Sequence, residues 1–294
     1  MPAARQSTKA WLRAAGIRPR RAWGQNFLIN PRLAEQIVAA WSVGPDHGVV
    51  EIGAGAGALT APLLAAGATV VAVERDVALV DLLAERTAAE AAPGALRCVA
   101  GDIRAQSPEA LCAGLAPPAG WGLVGNLPYA LTTPILEWAG RHRHAFGWQA
   151  FMVQREYGER LTARPGQAAY GALTVWVASR FEIERQLRLG PANFWPIPKV
   201  DSIVVRLRPR PEPPPGRPAL AQLERVVRAA FSQRRKMLPK PLAAGLELAP
   251  ERVVAALDAA GIDARRRAES CSLEEFYALT AALADLLSRP QAGR

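Results

Sequence analysis

The chain has 294 residues, half of them hydrophobic, enough for one large domain and a smaller one with cores that need no covalent staples. Its three cysteines (Cys98, Cys112 and Cys271) match neither a disulfide framework nor a zinc ligand set, which suits a reduced, cytoplasmic protein without a metal. A net charge of +10 implies a polyanionic partner, most simply nucleic acid, and no stretch has the roughly 18 apolar residues of a membrane helix.

The positive charge is clustered. Lys9, Arg13, Arg18, Arg20 and Arg21 crowd the start, where no apolar run follows them as a secretory signal would require. A second group, Arg225, Arg228, Arg234, Arg235, Lys236 and Lys240, crowds a later stretch.

In chain order, the pattern predicts a short helix around Trp11, a basic loop, then Gln25-Asn26-Phe27-Leu28. Residues 31–42 place Leu33, Ile37, Val38 and Trp41 on one helical face. Val49 to Ile52 reads as a buried strand running into a glycine-rich loop, followed by a helix over 58–66. A second strand covers Thr69 to Val73 and ends at Glu74, a helix covers 77–90, and a third strand covers 96–99 before Gly101-Asp102. Gly122 to Val124 is a fourth strand leading into Asn126, and Ala150 to Val153 a fifth, before a helix or turn over 156–161. Stretches 173–179, 181–187 and 202–207 are expected to complete the sheet. The Pro- and Arg-rich segment 208–218 cannot pair in a central strand and reads as a linker, dividing residues 1–210 from a helical domain over 211–294. Helices are expected there at 219–231, 250–260 and 273–288, the last capped by Ser272 with Glu275. Strands alternating with helices imply a Rossmann-like α/β domain, whose ligands bind beyond the carboxyl ends of parallel strands.

The candidate chemistry lies at those ends. Gly53, Gly55 and Gly57 let backbone approach a ligand, and their Gly-x-Gly-x-Gly spacing after Glu51 is not the Gly-x-Gly-x-x-Gly of dinucleotide enzymes. Glu74 is placed to accept ribose hydroxyls and Asp102 to accept from an adenine amino group, a pair that suits S-adenosylmethionine (SAM). Either acid also reads as an ordinary strand-end turn residue. Asn126-Leu127-Pro128-Tyr129 supplies two acceptors, the Asn126 side-chain oxygen and the Leu127 carbonyl, for the hydrogens of an exocyclic amine. Pro128 fixes the turn and Tyr129 offers a face for an extruded base. A structural Asn-x-Pro turn is the plainer alternative. Phe194, in Phe194-Trp195-Pro196-Ile197-Pro198-Lys199, is a candidate to sandwich the base opposite Tyr129, with Lys199 toward phosphate. Arg234, Arg235 and Lys236 look like phosphate contacts, or else a solvated helix end. His47, His142 and His144 show no metal spacing.

With these residues laid out, the chain resembles the KsgA family of small-subunit ribosomal RNA adenine dimethyltransferases. The resemblance begins with Arg20-Arg21 and Gly24 to Leu28 and continues through Glu51 to Gly53, Gly57 to Thr60, Val73-Glu74, Gly101-Asp102 and Asn126 to Tyr129. It goes on through Gln154 to Glu156, Tyr170-Gly171, Phe194, Pro196 to Ser202, Phe231 to Lys236, Gly261 to Asp263, Arg267 to Glu269 and Leu273 to Phe276. It implies a class I SAM-dependent methyltransferase domain with a small helical C-terminal domain. SAM contacts are implied at Asn26, Leu28, Gly53, Glu74, Asp102 and Asn126, with Gln25 counted beside them, and RNA contacts at Arg20 and Arg21. The implied reaction is N6,N6-dimethylation of two adjacent adenines near the 3′ end of the small-subunit RNA, carried out by a monomer on a ribosome assembly intermediate. Three features depart from the family: Ala54 where Pro is common, the neighbours Trp23 and Arg75, and Pro239 and Pro241, expected to break a helix.

Three rivals stand beside this reading. An Erm-type enzyme, acting on large-subunit RNA, shares Gln25 to Leu28 and the glycine loop, but the Asn126 motif, Phe231 to Lys236 and the tail favour KsgA. A non-catalytic RNA-binding assembly factor would not need Glu74, Asp102, Asn126 and Tyr129 intact. A nicotinamide dehydrogenase lacks both its glycine spacing and an acid for hydride transfer.

Overall fold

Runs of Val, Ile and Leu alternating with amphipathic stretches produce the expected βα succession. The computed structural model describes residues 8–20, 24–213 and 217–287; Arg21 and Trp23 lie outside them. The elements of the first part are α1 (Thr8–Ala14), β1 (Phe27–Leu28), α2 (Pro31–Ala40), β2 (Gly48–Ile52), α3 (Thr60–Ala65), β3 (Thr69–Glu74), α4 (Val77–Thr87) and β4 (Leu96–Ala100). Then follow α5 (Pro108–Cys112), β5 (Trp121–Asn126), α6 (Thr132–Arg141), β6 (Trp148–Gln154), α7 (Arg155–Leu161), α8 (Ala172–Ala178), β7 (Phe181–Leu189), β8 (Phe194–Trp195) and β9 (Ser202–Pro209). The remainder is helical: α9 (Leu220–Phe231), α10 (Pro239–Leu246), α11 (Pro250–Ala259), α12 (Leu273–Ala282) and α13 (Ala284–Leu287).

Seven strands form one sheet in the order β4-β3-β2-β5-β6-β9-β7. β4 through β6 pair in parallel, and β9 runs antiparallel to β6. From β2 the chain first builds outward through β3 and β4, then returns to place β5 on the other side of β2. This reversal opens a crevice at the carboxyl ends of β2 and β5, the usual ligand position in such sheets. Every residue of β2 is buried, as expected of a central parallel strand covered on both faces. Ile37 and Val38 of α2 and Leu63 and Leu64 of α3 share a core with Val49, Val70 and Val124 of the sheet. Asn30 caps α2 by accepting from the Leu33 amide at 3.2 Å, and Pro31 opens it.

Two compact units emerge, Met1–Gly158 with Glu184–Pro209, and Glu159–Ile183 with Arg210–Arg294. The division expected near 210 is therefore accompanied by two more crossings, because residues 159–183 lie with the helical unit. The cause is apolar burial: Tyr170 and Val175 sit in the same core as Leu223, Leu242, Leu257 and Phe276. The Tyr170 hydroxyl donates to the Cys271 carbonyl at 2.7 Å. The stretch 173–179, expected as a strand from its β-branched residues, is instead helix α8. Val175 and Val177 are buried there, and the Thr174 hydroxyl donates to the Arg160 carbonyl at 2.7 Å; tertiary packing overrides the local preference. α6 is not among the expected elements, although Ile135, Leu136 and Ala139 fall on one helical face and are buried.

Pro239 and Pro241 do not break a helix. Pro239 begins α10, where the first-turn amides have no acceptor within the helix, so a missing N–H is harmless. Ser272 and Glu275 form the expected capping box on α12.

α9 and α10 meet at Gly245, where an added Cβ would stand 2.7 Å from the Ala229 Cβ and 2.9 Å from its Cα. Backbone cannot retreat as a side-chain tip can, so Gly245→Val is expected to destabilise the protein by about 1–3 kcal/mol, read from urea denaturation midpoints.

Candidate active site

The loop after β2 is held by the carboxylate that ends β3. Glu74 accepts the Gly55 amide through Oε2 at 2.8 Å and the Asp76 amide through Oε1 at 2.8 Å. One side chain thus fixes both the glycine loop and the start of α4. Gly53 and Gly55 have φ of 68° and 55°, the left-handed region in which a Cβ is strained. At Gly53 an added Cβ would meet nothing within 4 Å, and at Gly55 it would approach the Phe27 ring at 3.1 Å. Gly57 belongs to a different contact. It does not line the cavity, and an added Cβ there would stand 2.7 Å from Leu83 Cδ1, so its role is to let the loop pack on α4.

A cavity lies beyond the strand ends, lined by Gln25, Asn26 and Leu28 from the N-terminal segment and by Gly53, Gly55, Glu74, Asp102, Asn126, Leu127 and Pro128 from the sheet side. Among the described residues it gathers every expected cofactor contact except Gly57. Glu51 also lines it, a residue whose position before the glycines hinted at involvement without indicating a role. Its carboxyl is 2% exposed and accepts from the Thr60 hydroxyl at 2.6 Å. Burial pushes it up to about 7, against the lowering effect of Thr60 and with a further rise from the nearby Glu74 charge. Burial also raises Glu74, and the backbone amides of Asp76, Gly55 and Arg75 oppose that rise. Asp102 is the opposite case. Arg104 donates to it through Nε at 2.9 Å and Nη2 at 2.6 Å, which holds its carboxyl below the usual value. Ile135 of α6 and Met152 of β6 add apolar wall that sequence reasoning missed, since only the tertiary fold brings them here.

Asn126 ends β5. Its Nδ2 donates to the Asn26 carbonyl at 2.7 Å, and Asn26 in turn donates to the Gly24 carbonyl at 3.1 Å. The Asn126 amide is thereby oriented, its nitrogen toward Asn26. The Leu127 amide donates to the Met152 carbonyl at 3.1 Å, and the Pro128 carbonyl accepts from the Leu131 amide at 2.9 Å. These bonds fix the turn. Tyr129 is half-buried, its hydroxyl 3.1 Å from Ser202 Oγ, and burial raises its phenol.

One expected contact is placed otherwise, and two of the expected RNA contacts also bond within the chain. Phe194 is fully buried in the core with Leu28 and Met152, paired in register with Leu28 across β1 and β8, and offers no face to a base. Its apolar character serves the core. Arg20 lies against Asp76, Nε to Oδ2 3.4 Å, with its amide donating to Gln25 Oε1 at 2.8 Å. Arg234 donates to the Ala168 carbonyl and to Glu269 at 3.3 Å, joining segments within the helical unit. Lys199, Arg235 and Lys236 are exposed. Among the described residues, no group of three or more His, Cys, Asp or Glu is placed to hold a metal, and no helix is long and apolar enough to cross a membrane.

A reversing parallel sheet, a glycine loop clamped by an acid on β3, a second acid after β4 and an amide ending β5 define a class I SAM-dependent methyltransferase. The comparisons narrow this. The family model described as ribosomal RNA adenine dimethylase matches residues 16–285. The ribosomal RNA small subunit methyltransferase A of Myxococcus xanthus is 42% identical over 282 residues, covering 96% of each chain. That of Thermosynechococcus vestitus is 41% identical over 276 residues, covering 92% of this chain and 98% of its own. Among solved structures, a dimethyladenosine transferase from Plasmodium falciparum aligns with a TM-score of 0.73 at 22% identity, covering 88% of this chain and 98% of that one. The 23S rRNA methyltransferase ErmE aligns with a TM-score of 0.65 at 27% identity, covering 88% of this chain and 99% of that one. The chain belongs to the ribosomal RNA adenine dimethylase family.

Glu51 makes stability depend on pH. Its folded value of about 7 exceeds the ordinary 4.5, so between those values the native state keeps a proton that the unfolded chain has released. Its contribution is complete below about 4.5 and is lost as pH rises through about 7. Urea denaturation at pH 5 and pH 8 is expected to show a loss of stability larger by about 3 kcal/mol in the wild type than in Glu51→Gln, which keeps an acceptor for Thr60. Equal losses in the two proteins would remove Glu51 as the cause.

Proposed function

We propose that this protein dimethylates N6 of two adjacent adenines in a loop near the 3′ end of small-subunit ribosomal RNA. The substrate is an assembly intermediate of the small subunit, met in the cytoplasm by a monomer. The observation that carries this reading is Asn126-Leu127-Pro128-Tyr129 at the carboxyl end of β5, its amide oriented by the Asn26 carbonyl beside the cavity. Relatives named as small-subunit methyltransferases, about 40% identical over nearly the whole chain, support the choice of subunit over the large-subunit specificity of the more distant ErmE. Three free cysteines suit the reducing cytoplasm.

The cavity fits SAM by its donor set. Around one apolar space Glu74 retains lone pairs for ribose hydroxyls, Asp102 accepts at the adenine end, and the buried Glu51 carboxyl would ionise beside a cationic group of the ligand. When bound, SAM supplies an electrophilic methyl group that leaves its sulfur as the new N–C bond forms. Asn26, Leu28, Gly53 and Gly55 would hold it along the loop and the N-terminal segment, with Asp102 at the adenine end.

The protein's own task is to make an aromatic amine nucleophilic. The lone pair of adenine N6 is delocalised into the ring, and acceptors at the Asn126 oxygen and the Leu127 carbonyl draw its two hydrogens out of the ring plane. The same acceptors stabilise the positive charge that develops on nitrogen during transfer. The methylated nitrogen then loses one proton to solvent and keeps one N–H, so a single acceptor suffices for the second round. Tyr129 presents a ring face to the extruded base, held by its bond to Ser202. Positioning supplies most of the acceleration, and no strong general base is required.

Asn126→Ala is expected to lower kcat by roughly 100-fold or more, as loss of one preorganised polar group does elsewhere, while calorimetric SAM affinity changes by less than about tenfold. The assay is transfer of labelled methyl to undermethylated small and large ribosomal subunits, with nucleoside mass analysis. Dimethyladenosine confined to small-subunit RNA is the expected result. Label confined to the large subunit would replace this reading with the Erm-type one.

A further inference from the structure

The loop between β8 and β9, residues 196–201, is unusual in what it exposes. Ile197 is 70% and Val200 42% exposed, two of the five large hydrophobic side chains that the described residues leave in solvent, with exposed Lys199 between them. Apolar surface kept in water on a short, fixed loop forgoes burial unless something covers it.

The loop is fixed at both ends, and both ends reach the reaction motif. At one end Trp195 pairs with Phe27, the neighbour of Asn26, whose carbonyl takes the Asn126 amide. At the other end Ser202 Oγ meets the Tyr129 hydroxyl. Between them, Asp201 accepts from Arg188 at 2.6 Å, and its carbonyl accepts the Arg155 amide at 2.9 Å. Pro196 and Pro198 restrict the backbone further, so little flexibility is lost on binding. The tip therefore stands on a rigid frame tied at two points to the residues that receive the target base, and Phe194, the other apolar candidate for that region, is sealed in the core.

We infer that Ile197 is a positioning residue for the reaction, an apolar wedge that covers the face of the base adjoining the extruded adenine. Taking one of two adjacent adenines out of its stack bares a face of its neighbour, and proteins that unstack bases commonly fill such gaps with aliphatic side chains. Lys199 then neutralises the phosphate alongside. This rests on the proposed action on unpaired adenines and assigns a residue to the extrusion step, separate from the acceptors that activate N6.

The wedge acts once RNA is bound, so its removal reads in kcat, whereas loss of Lys199 reads in KM. With undermethylated small ribosomal subunits as substrate, Ile197→Ser is expected to lower kcat roughly 10-fold, with subunit KM and calorimetric SAM affinity unchanged. Ile197→Phe, which stacks as well or better, is expected to recover activity to within about threefold of wild type. Lys199→Ala is expected to raise KM with kcat largely retained. A wild-type rate for Ile197→Ser would overturn the inference, as would an Ile197→Phe variant as impaired as Ile197→Ser. So would a change in sedimentation without a change in kcat, which would mean that the patch joins copies of the chain. If the wild type itself transferred no methyl to small subunits, the functional reading would fail, and the wedge with it.

Discussion

The hydrogen bond from Asn126 to the Asn26 carbonyl joins two parts of the chain separated by 100 positions. The sheet alone delivers Asn126 to the crevice, but a terminal amide rotates, and the proposed reaction needs its oxygen, not its donors, toward the amine. Asn26 settles the direction. Because Asn26 precedes β1, and β1 pairs with β8, the same bond couples the Asn126 amide to the N-terminal segment and to the β8–β9 connection. Cofactor wall, acceptor orientation and substrate rim thus share one mechanical origin.

The cavity also concentrates acid where burial opposes charge. Glu74 is tolerated because backbone amides bond it, and Asp102 because Arg104 does. Glu51 has one hydroxyl partner among the described residues and holds its proton into the neutral range. Of the three acids only Glu51 is left to ionise beside an incoming cation, in keeping with a cationic ligand. The free energy that a more apolar lining would have added to folding is here reserved for binding.

Much of this was legible in the sequence. Apolar runs at β2, β3 and β5 and the acids at their ends are local patterns, and parallel-sheet topology converts them into one crevice without further information. What escaped depends on long-range packing. Residues 173–179 read as a strand because Thr and Val favour one, yet the helical core claims Val175. Phe194 looked like an aromatic clamp beside prolines, and only the pairing with Leu28 reveals that it faces inward. Pro239 looked disruptive because its position within the helix, the first turn, is invisible until the boundary is known. Ile135 and Met152 lack any motif at all. Chemistry-bearing polar residues at strand ends are readable from spacing, whereas the apolar wall around them is a property of the assembled fold.

The internal engagement of Arg20 and Arg234 has a consequence for the thermodynamics of RNA association. A cation already paired with an acid of its own chain neutralises less phosphate charge, and so displaces fewer of the counterions condensed on the nucleic acid. Affinity for a polyanion falls with salt in proportion to the number of such ions released, by roughly 0.7–0.9 powers of concentration per neutralised phosphate. Arg20 with Asp76 and Arg234 with Glu269 therefore make this protein's hold on RNA less sensitive to ionic strength than its count of basic residues suggests.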